Sequence, residues 1–177
     1  MVLYRRNRVG GGCYFFTVNL HDRKSDFLLR YVDSLRESFS DAQHKYSFTI
    51  DAIVILPDHL HAIWTLPEGD DDFSSRWRLV KSNFTKKLKH QNVSLFVNDR
   101  GEYNLWQKRF WEHTIQDEED YSRHVDYIHY NPVKHGYAKQ VVDWPYSSFH
   151  KFVKKGILTP DWSSNKPEPD ATKFGEM

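Results

Sequence analysis

The feature that most constrains the fold of this chain is the order in which its hydrophobic periodicity switches between two and about 3.6. Cys13 to Leu20 is aromatic and β-branched, with Tyr14, Phe16, Val18 and Leu20 on one side at period two, which predicts a first strand. Between Asp26 and His44, Leu28, Tyr31, Val32, Leu35, Phe39 and Ala42 recur at helical spacing. Tyr46 to Leu56 and His59 to Leu66 are β-rich runs parted only by Pro57-Asp58, a pair suited to a tight turn, so they form a hairpin. Ser74 or Ser75 then caps a second helix in which Trp77, Val80, Phe84 and Leu88 line one face, and Trp106 to Ile115 reads as a fourth strand. Asp117 opens a third helix whose first turn holds Glu118, Glu119 and Asp120, where the helix dipole favours acids. Pro132 should end that helix near Asn131.

Strand, helix, strand, strand, helix, strand is the order of a ferredoxin-like split βαβ sandwich: an α+β fold with an antiparallel sheet and both helices on one face. The third helix is an addition to it. With 177 residues the chain has room for one core, and its 16% aromatic content suits a packed interior rather than a disordered chain. Residues 1–12 read as a basic arm carrying Arg5, Arg6 and Arg8, residues 13–158 as the folded domain, and residues 159–177 as a loosely ordered tail. The single cysteine, Cys13, excludes a disulfide framework and a cysteine-based zinc site, and suits a reducing compartment. No apolar run approaches the roughly 18 residues of a membrane span, and the amino terminus lacks the apolar segment of a signal peptide. A cytoplasmic protein without a membrane partner is the expectation.

Two places on this frame can carry chemistry. His59 and His61 are two apart on a strand, so both imidazoles leave one face and can share a metal ion; equally, they can be half-buried polar residues at a sheet surface. On the third helix Tyr121, Val125 and Ile128 form an apolar stripe, which makes Tyr121 a core residue. Tyr127 lies off the stripe, and Asn131 follows it by four residues, about 40° around the axis. Tyr127 can therefore share a polar face with Asn131, or be an amphipathic surface tyrosine. The fourth residue after Tyr130 is Lys134, beyond the expected helix end, which makes Tyr130 the poorer candidate.

Lys and Arg (25) nearly cancel Asp and Glu (24), so a nucleic-acid reading must rest on how charge is distributed. Residues 74–98 hold Arg76, Arg78, Lys81, Lys86, Lys87 and Lys89 and no acid, a one-sided segment that attracts phosphates unless it is only a solvated face. Trp106 or Tyr103 could stack bases beside Lys108 and Arg109, or pack into the core or a loop. Asp70, Asp71 and Asp72 read as an acidic loop that can cap the next helix rather than as a metal site. Phosphate-loop and serine-elbow motifs are absent from the sequence, and Cys13 sits inside an aromatic strand as a packing residue.

Taken together, the chain resembles the REP-associated tyrosine transposases, domesticated relatives of single-tyrosine insertion-sequence transposases in the HUH endonuclease superfamily. The resemblance is carried by His59-Leu60-His61, by the block Tyr127 to Lys134, and by the segment Leu66 to Ser74, and it runs from about Tyr4 to Trp162. It implies cleavage and rejoining of single-stranded DNA at REP hairpins, with Tyr127 as nucleophile and a 5′-phosphotyrosine intermediate. It implies Mg²⁺ or Mn²⁺ held by His59, His61 and Asn131. Arg5, Arg6, Arg76, Arg78, Lys81 and Arg109 would contact phosphates. His135, where the family often has a small residue, should matter little. The domesticated branch suggests a monomer and autonomous relatives a dimer that exchanges its tyrosine helix; the linker lengths permit either, and a monomer is the expectation. The alternative from another class is a module on the same fold that binds REP hairpins without catalysis. A third is a histidine-metal hydrolase of small substrates.

Overall fold

A computed structural model of the chain describes residues 7–162 and Phe174. Strand β1 (Cys13–Asn19) is followed by a short helix α1 (Phe27–Arg30) and by α2 (Val32–Lys45). The hairpin β2 (Thr49–Ile55) and β3 (His59–Thr65) leads to α3 (Phe73–His90), the edge strand β4 (Trp111–Thr114), α4 (Glu118–Lys134) and α5 (Phe149–Lys154). The sheet is antiparallel in the order β2-β3-β1-β4, the ferredoxin-like order expected from the periodicities.

Alternation along the strands sends residues to two different cores. Tyr14, Phe16 and Val18 of β1 and Leu60, Ala62 and Trp64 of β3 face α2 and α3, where the Trp64 and Trp77 rings stack at 4.1 Å. Phe15 and Ile63 face the other way, into a second core closed by Val125, Tyr127 and Ile128 of α4. The added helix thus covers the sheet face opposite α2 and α3. His59 and His61 share the parity of Ile63, so they lie under α4 and are buried rather than half-exposed.

Four boundaries differ from the sequence reading. The first helix is interrupted at Tyr31 (φ −117°, ψ 36°), which divides it into α1 and α2. The fourth strand is only four residues long, and Trp106, buried beneath Phe84, makes an isolated bridge to Leu20 instead of extending it. Helix α3 is capped by Asp72, whose carboxylate accepts from the Ser75 amide at 3.0 Å, so the serines lie inside the first turn.

The consequential difference is in α4. The chain forgoes the bond that an amide at position 132 would make to Ile128, and it remains helical through Pro132 to Lys134. The end is then closed by His135 N–H on the Asn131 carbonyl (3.0 Å) and Tyr137 N–H on the Pro132 carbonyl (2.9 Å), with Gly136 at φ +73°. Asn131 is therefore a helical residue on the face of Tyr127, and Lys134 is its neighbour one turn further on.

Candidate functional site

The site lies where the second core meets the histidine strand. The imidazoles of His59 and His61 have ring centroids 5.1 Å apart, and the ring of Tyr127 lies 5.2 Å from that of His61. Tyr127, His61 and Asn131 are fully buried and His59 nearly so. His59, His61, Tyr127 and Asn131 thus lie where one chain brings the inner face of β3 under α4.

Neighbours fix the orientation of both imidazoles. His59 Nδ1 donates to Asp58 Oδ1 at 2.8 Å, and the carboxylate also accepts from Arg23 Nε. Burial alone would push the Asp58 carboxyl up, but the bonds and charges of His59 and Arg23 outweigh it and hold the carboxyl below the ordinary range. His61 Nδ1 lies 2.8 Å from Thr17 Oγ1, which donates its one proton to the Phe174 carbonyl at 2.9 Å. The hydroxyl must therefore accept from His61 Nδ1–H. Each ring is thereby set as the tautomer that presents Nε2 as a lone-pair donor. Backing of the distal nitrogen by a carboxylate or hydroxyl is the usual way a ligating imidazole is held.

Two imidazole nitrogens and a buried carboxamide, with no thiolate, are donor types that suit Mn²⁺, or Mg²⁺ with added oxygen ligands, and would also accept Zn²⁺. Two further contacts bear on Tyr127. Lys134 Nζ donates to its hydroxyl at 3.1 Å, and the Phe174 ring stacks on its ring at 3.8 Å and 9°. His135, expected to matter little, has its ring 5.2 Å from that of His59.

A second polar cluster joins β4 to α4. His113 Nε2 donates to Asp120 Oδ2 at 2.7 Å, the Gln116 amide reaches the same oxygen at 2.9 Å, and His124 Nδ1 donates to the Asp120 carbonyl at 2.8 Å. Burial would raise the Asp120 carboxyl, but the bonds from His113 and Gln116 hold it below the ordinary range, while burial lowers the His124 imidazole. The three side chains place ligand atoms within 4.8 Å of one another, yet they are bound to each other and tie the start of the tyrosine helix to the sheet edge.

The basic segment is smaller in effect than in sequence. Arg76 is 2% exposed; its guanidinium donates to Asp70 (2.7 Å) and to the Ser47 carbonyl (2.7 Å), which corrects its reading as a phosphate contact. Lys87 is paired with Glu37 and Asp41 of α2. Lys81 is half-buried, donating to the Gln107 carbonyl at 3.0 Å. Arg78, Lys86 and Lys89 point outward beside a groove of 640 Å³ that Tyr103, Trp106 and Lys108 also line, and Arg109 is exposed on the adjoining loop. Tyr103 is exposed with Lys89 Nζ 4.4 Å from its ring, whereas Trp106 belongs to the core. Arg5 and Arg6 lie outside the described residues; Arg8 is exposed, 3.3 Å from Asp71. Sequence reasoning did not find Thr17, Arg23, Asp58 or Lys134 at the site: the first three come to the histidines only through strand register and the hairpin turn, and Lys134 only through the helix that outlasts its proline.

No family model matches the chain. Among characterised sequences it is similar to the REP-associated tyrosine transposase of Escherichia coli strain K12, 49% identical over 162 residues that cover 92% of this chain and 91% of that one. A Haemophilus influenzae relative named for the same family is 46% identical over 177 residues, covering 98% of each. A solved structure of a REP-associated tyrosine transposase bound to a REP hairpin superposes with a TM-score of 0.84 at 47% identity, covering 97% of this chain and 96% of the other. With the histidine pair and the tyrosine helix on one face of the same fold, these comparisons establish that the chain belongs to the REP-associated tyrosine transposases.

Proposed function

We infer that this chain is a metal-dependent single-stranded DNA endonuclease and strand transferase that acts on REP hairpins through a 5′-phosphotyrosine at Tyr127. The observation that carries the reading is the packing of the Tyr127 ring against His61, beneath the helix that also holds Asn131 and beside His59. A tyrosine alone is a common surface residue; one buried against an oriented imidazole of a histidine pair supports the reading of Tyr127 as a nucleophile.

His59, His61 and Asn131 would hold Mg²⁺ or Mn²⁺. When bound, the ion supplies neutralisation of phosphate charge and fixes the scissile bond. The Tyr127 oxygen attacks phosphorus, the bond to the 3′-oxygen breaks, and the covalent link retains the bond energy for rejoining without a nucleotide cofactor. Asp58 and Thr17 keep each imidazole in the tautomer whose Nε2 carries the lone pair that a cation would take. The hairpin as partner is supported by the solved relative, which is bound to one. Arg78, Lys86, Lys89 and Arg109 would contact its phosphates, while Tyr103 offers a ring for stacking. One chain can supply all four candidate residues, which is compatible with a monomer.

The test is a denaturing gel of the protein after incubation with labelled single-stranded REP hairpin and Mn²⁺ or Mg²⁺. The wild type should form a DNA adduct that Tyr127→Phe and His61→Ala do not. Tight hairpin binding without any adduct would instead make the chain a binding module.

A further inference from the structure

We propose that Lys134 is a catalytic residue that carries the negative charge on the Tyr127 oxygen through both strand cleavage and rejoining; this rests on the reading of Tyr127 as the nucleophile. Seven residues separate the two, which on a continuous helix is two turns and leaves them about 20° apart around the axis. The continuity of α4 through Pro132 is therefore what brings them together. Lys134 Nζ lies 3.1 Å from the Tyr127 hydroxyl and 5.0 Å from the ring centroid, so it approaches the oxygen rather than the ring face. The described rings of Phe15, His61 and Phe174 meet the tyrosine ring at centroid distances of 6.1, 5.2 and 3.8 Å, and Tyr127 is fully buried.

An ammonium has three donors and no acceptor, so it cannot take the phenolic proton; its contribution is a charge-assisted hydrogen bond to the oxygen. In cleavage the bond between the Tyr127 oxygen and phosphorus forms, that to the 3′-oxygen breaks, the phenolic proton passes to solvent and the 3′-oxygen is protonated. In rejoining a 3′-hydroxyl loses its proton to solvent as its oxygen attacks phosphorus, and the electron pair of the breaking bond returns to the tyrosine oxygen, which is then reprotonated. The same oxygen gives an electron pair to phosphorus in the first step and takes one back in the second. By microscopic reversibility one fixed cation beside it serves both, and a buried site makes that service larger than it would be in water.

A lysine that merely held the ring in place would give the same distance, so the test separates charge from packing. Adduct formation and rejoining on a single-stranded REP hairpin are timed for the wild type, Lys134→Met, Lys134→Gln and Lys134→Arg, each with tyrosine or 3,5-difluorotyrosine at position 127. The ring fluorines let the oxygen bear negative charge with less help. Lys134→Met and Lys134→Gln should slow both steps about 100-fold or more, in the range of losing one charge-stabilising donor. Lys134→Arg should recover part of the rate, and difluorotyrosine should shrink the deficit of the neutral variants at least tenfold while hairpin binding stays unchanged. Rates within threefold of the wild type for the neutral variants, or a deficit that the fluorines do not change, would overturn the inference while leaving Tyr127 as nucleophile. A wild type that forms no adduct overturns the Tyr127 reading and this inference with it.

Discussion

His59 and His61 are ordinary imidazoles until their distal nitrogens are considered. Asp58 is the last residue of the hairpin turn, and its carboxylate, buried and bonded by Arg23, holds His59 Nδ1–H. Removing its charge while keeping its shape should leave the fold intact and loosen the donor. Asp58→Asn is expected to raise the Mn²⁺ concentration for half-maximal adduct formation by about 10- to 100-fold, the usual cost of losing such a backing group. An unchanged metal requirement would show that His59 is not a ligand. At this scale the period-two spacing exposed the histidine pair, whereas Tyr127, read off the apolar stripe of its helix, is fully buried in the second core. The sequence hid Thr17 and Asp58, because a threonine opposite His61 in the β1–β3 register and an aspartate in a turn carry no periodic signal. The Arg76 reading failed for a related reason: charge in a run says nothing about which member folds inward onto Asp70.

At the scale of elements, α4 decides whether there is a site at all. Its start is fixed by Asp117, whose carboxylate accepts from the Asp120 amide at 2.8 Å, and by the bonds that join Asp120 to His113 and Gln116. Asp117→Ala should cost about 1 kcal/mol in urea unfolding, as for other caps; a change within a few tenths would mean that the Asp120 contacts alone hold the start. The existence of this helix and its acidic first turn were legible in the sequence, as were all four strands and the hairpin. Its end was not. The rule that a proline stops a helix describes the local cost, one lost hydrogen bond and a ring to accommodate, and the buried packing of Asn131 and Pro132 against the sheet outweighs it. The interruption at Tyr31 and the short β4 were equally hidden, since both depend on what packs across them.

For the whole molecule, two cores on opposite sides of one sheet explain why the site residues are buried and why stability depends on pH. His129, on α4 and fully buried, bonds Ser148 Oγ at 3.0 Å, and burial lowers its imidazole to about 3. The unfolded chain binds a proton there near pH 6.5 and the folded one does not, so stability is complete above that pH and declines as pH falls through it. The expected loss is about 2 kcal/mol between pH 7 and pH 5, read as a shift of the urea midpoint, and His129→Phe should remove about that much of the dependence. Equal midpoints at the two pH values would contradict the burial of a neutral ring. The general fold class was legible because periodicity changes report which layer an element joins. The covered second face was not, because a strand buried on both sides and one buried on one side differ only in residues such as Phe15 and Ile63 that suit either. Nor was Phe174, which stacks on Tyr127 from a stretch of sequence with no pattern of its own. Among the described residues no helix is long and apolar enough to cross a membrane.

The central claim is that Tyr127 is the residue that joins DNA. It is tested most directly by mass spectrometry of the protein after reaction with a single-stranded REP hairpin and Mn²⁺, digestion with trypsin and nuclease, and fragmentation of the peptide that runs from His124 to Lys134. The account predicts a nucleotide phosphate on Tyr127 with Tyr130 unmodified. A phosphate on Tyr130, or on a peptide elsewhere in the chain, would contradict it.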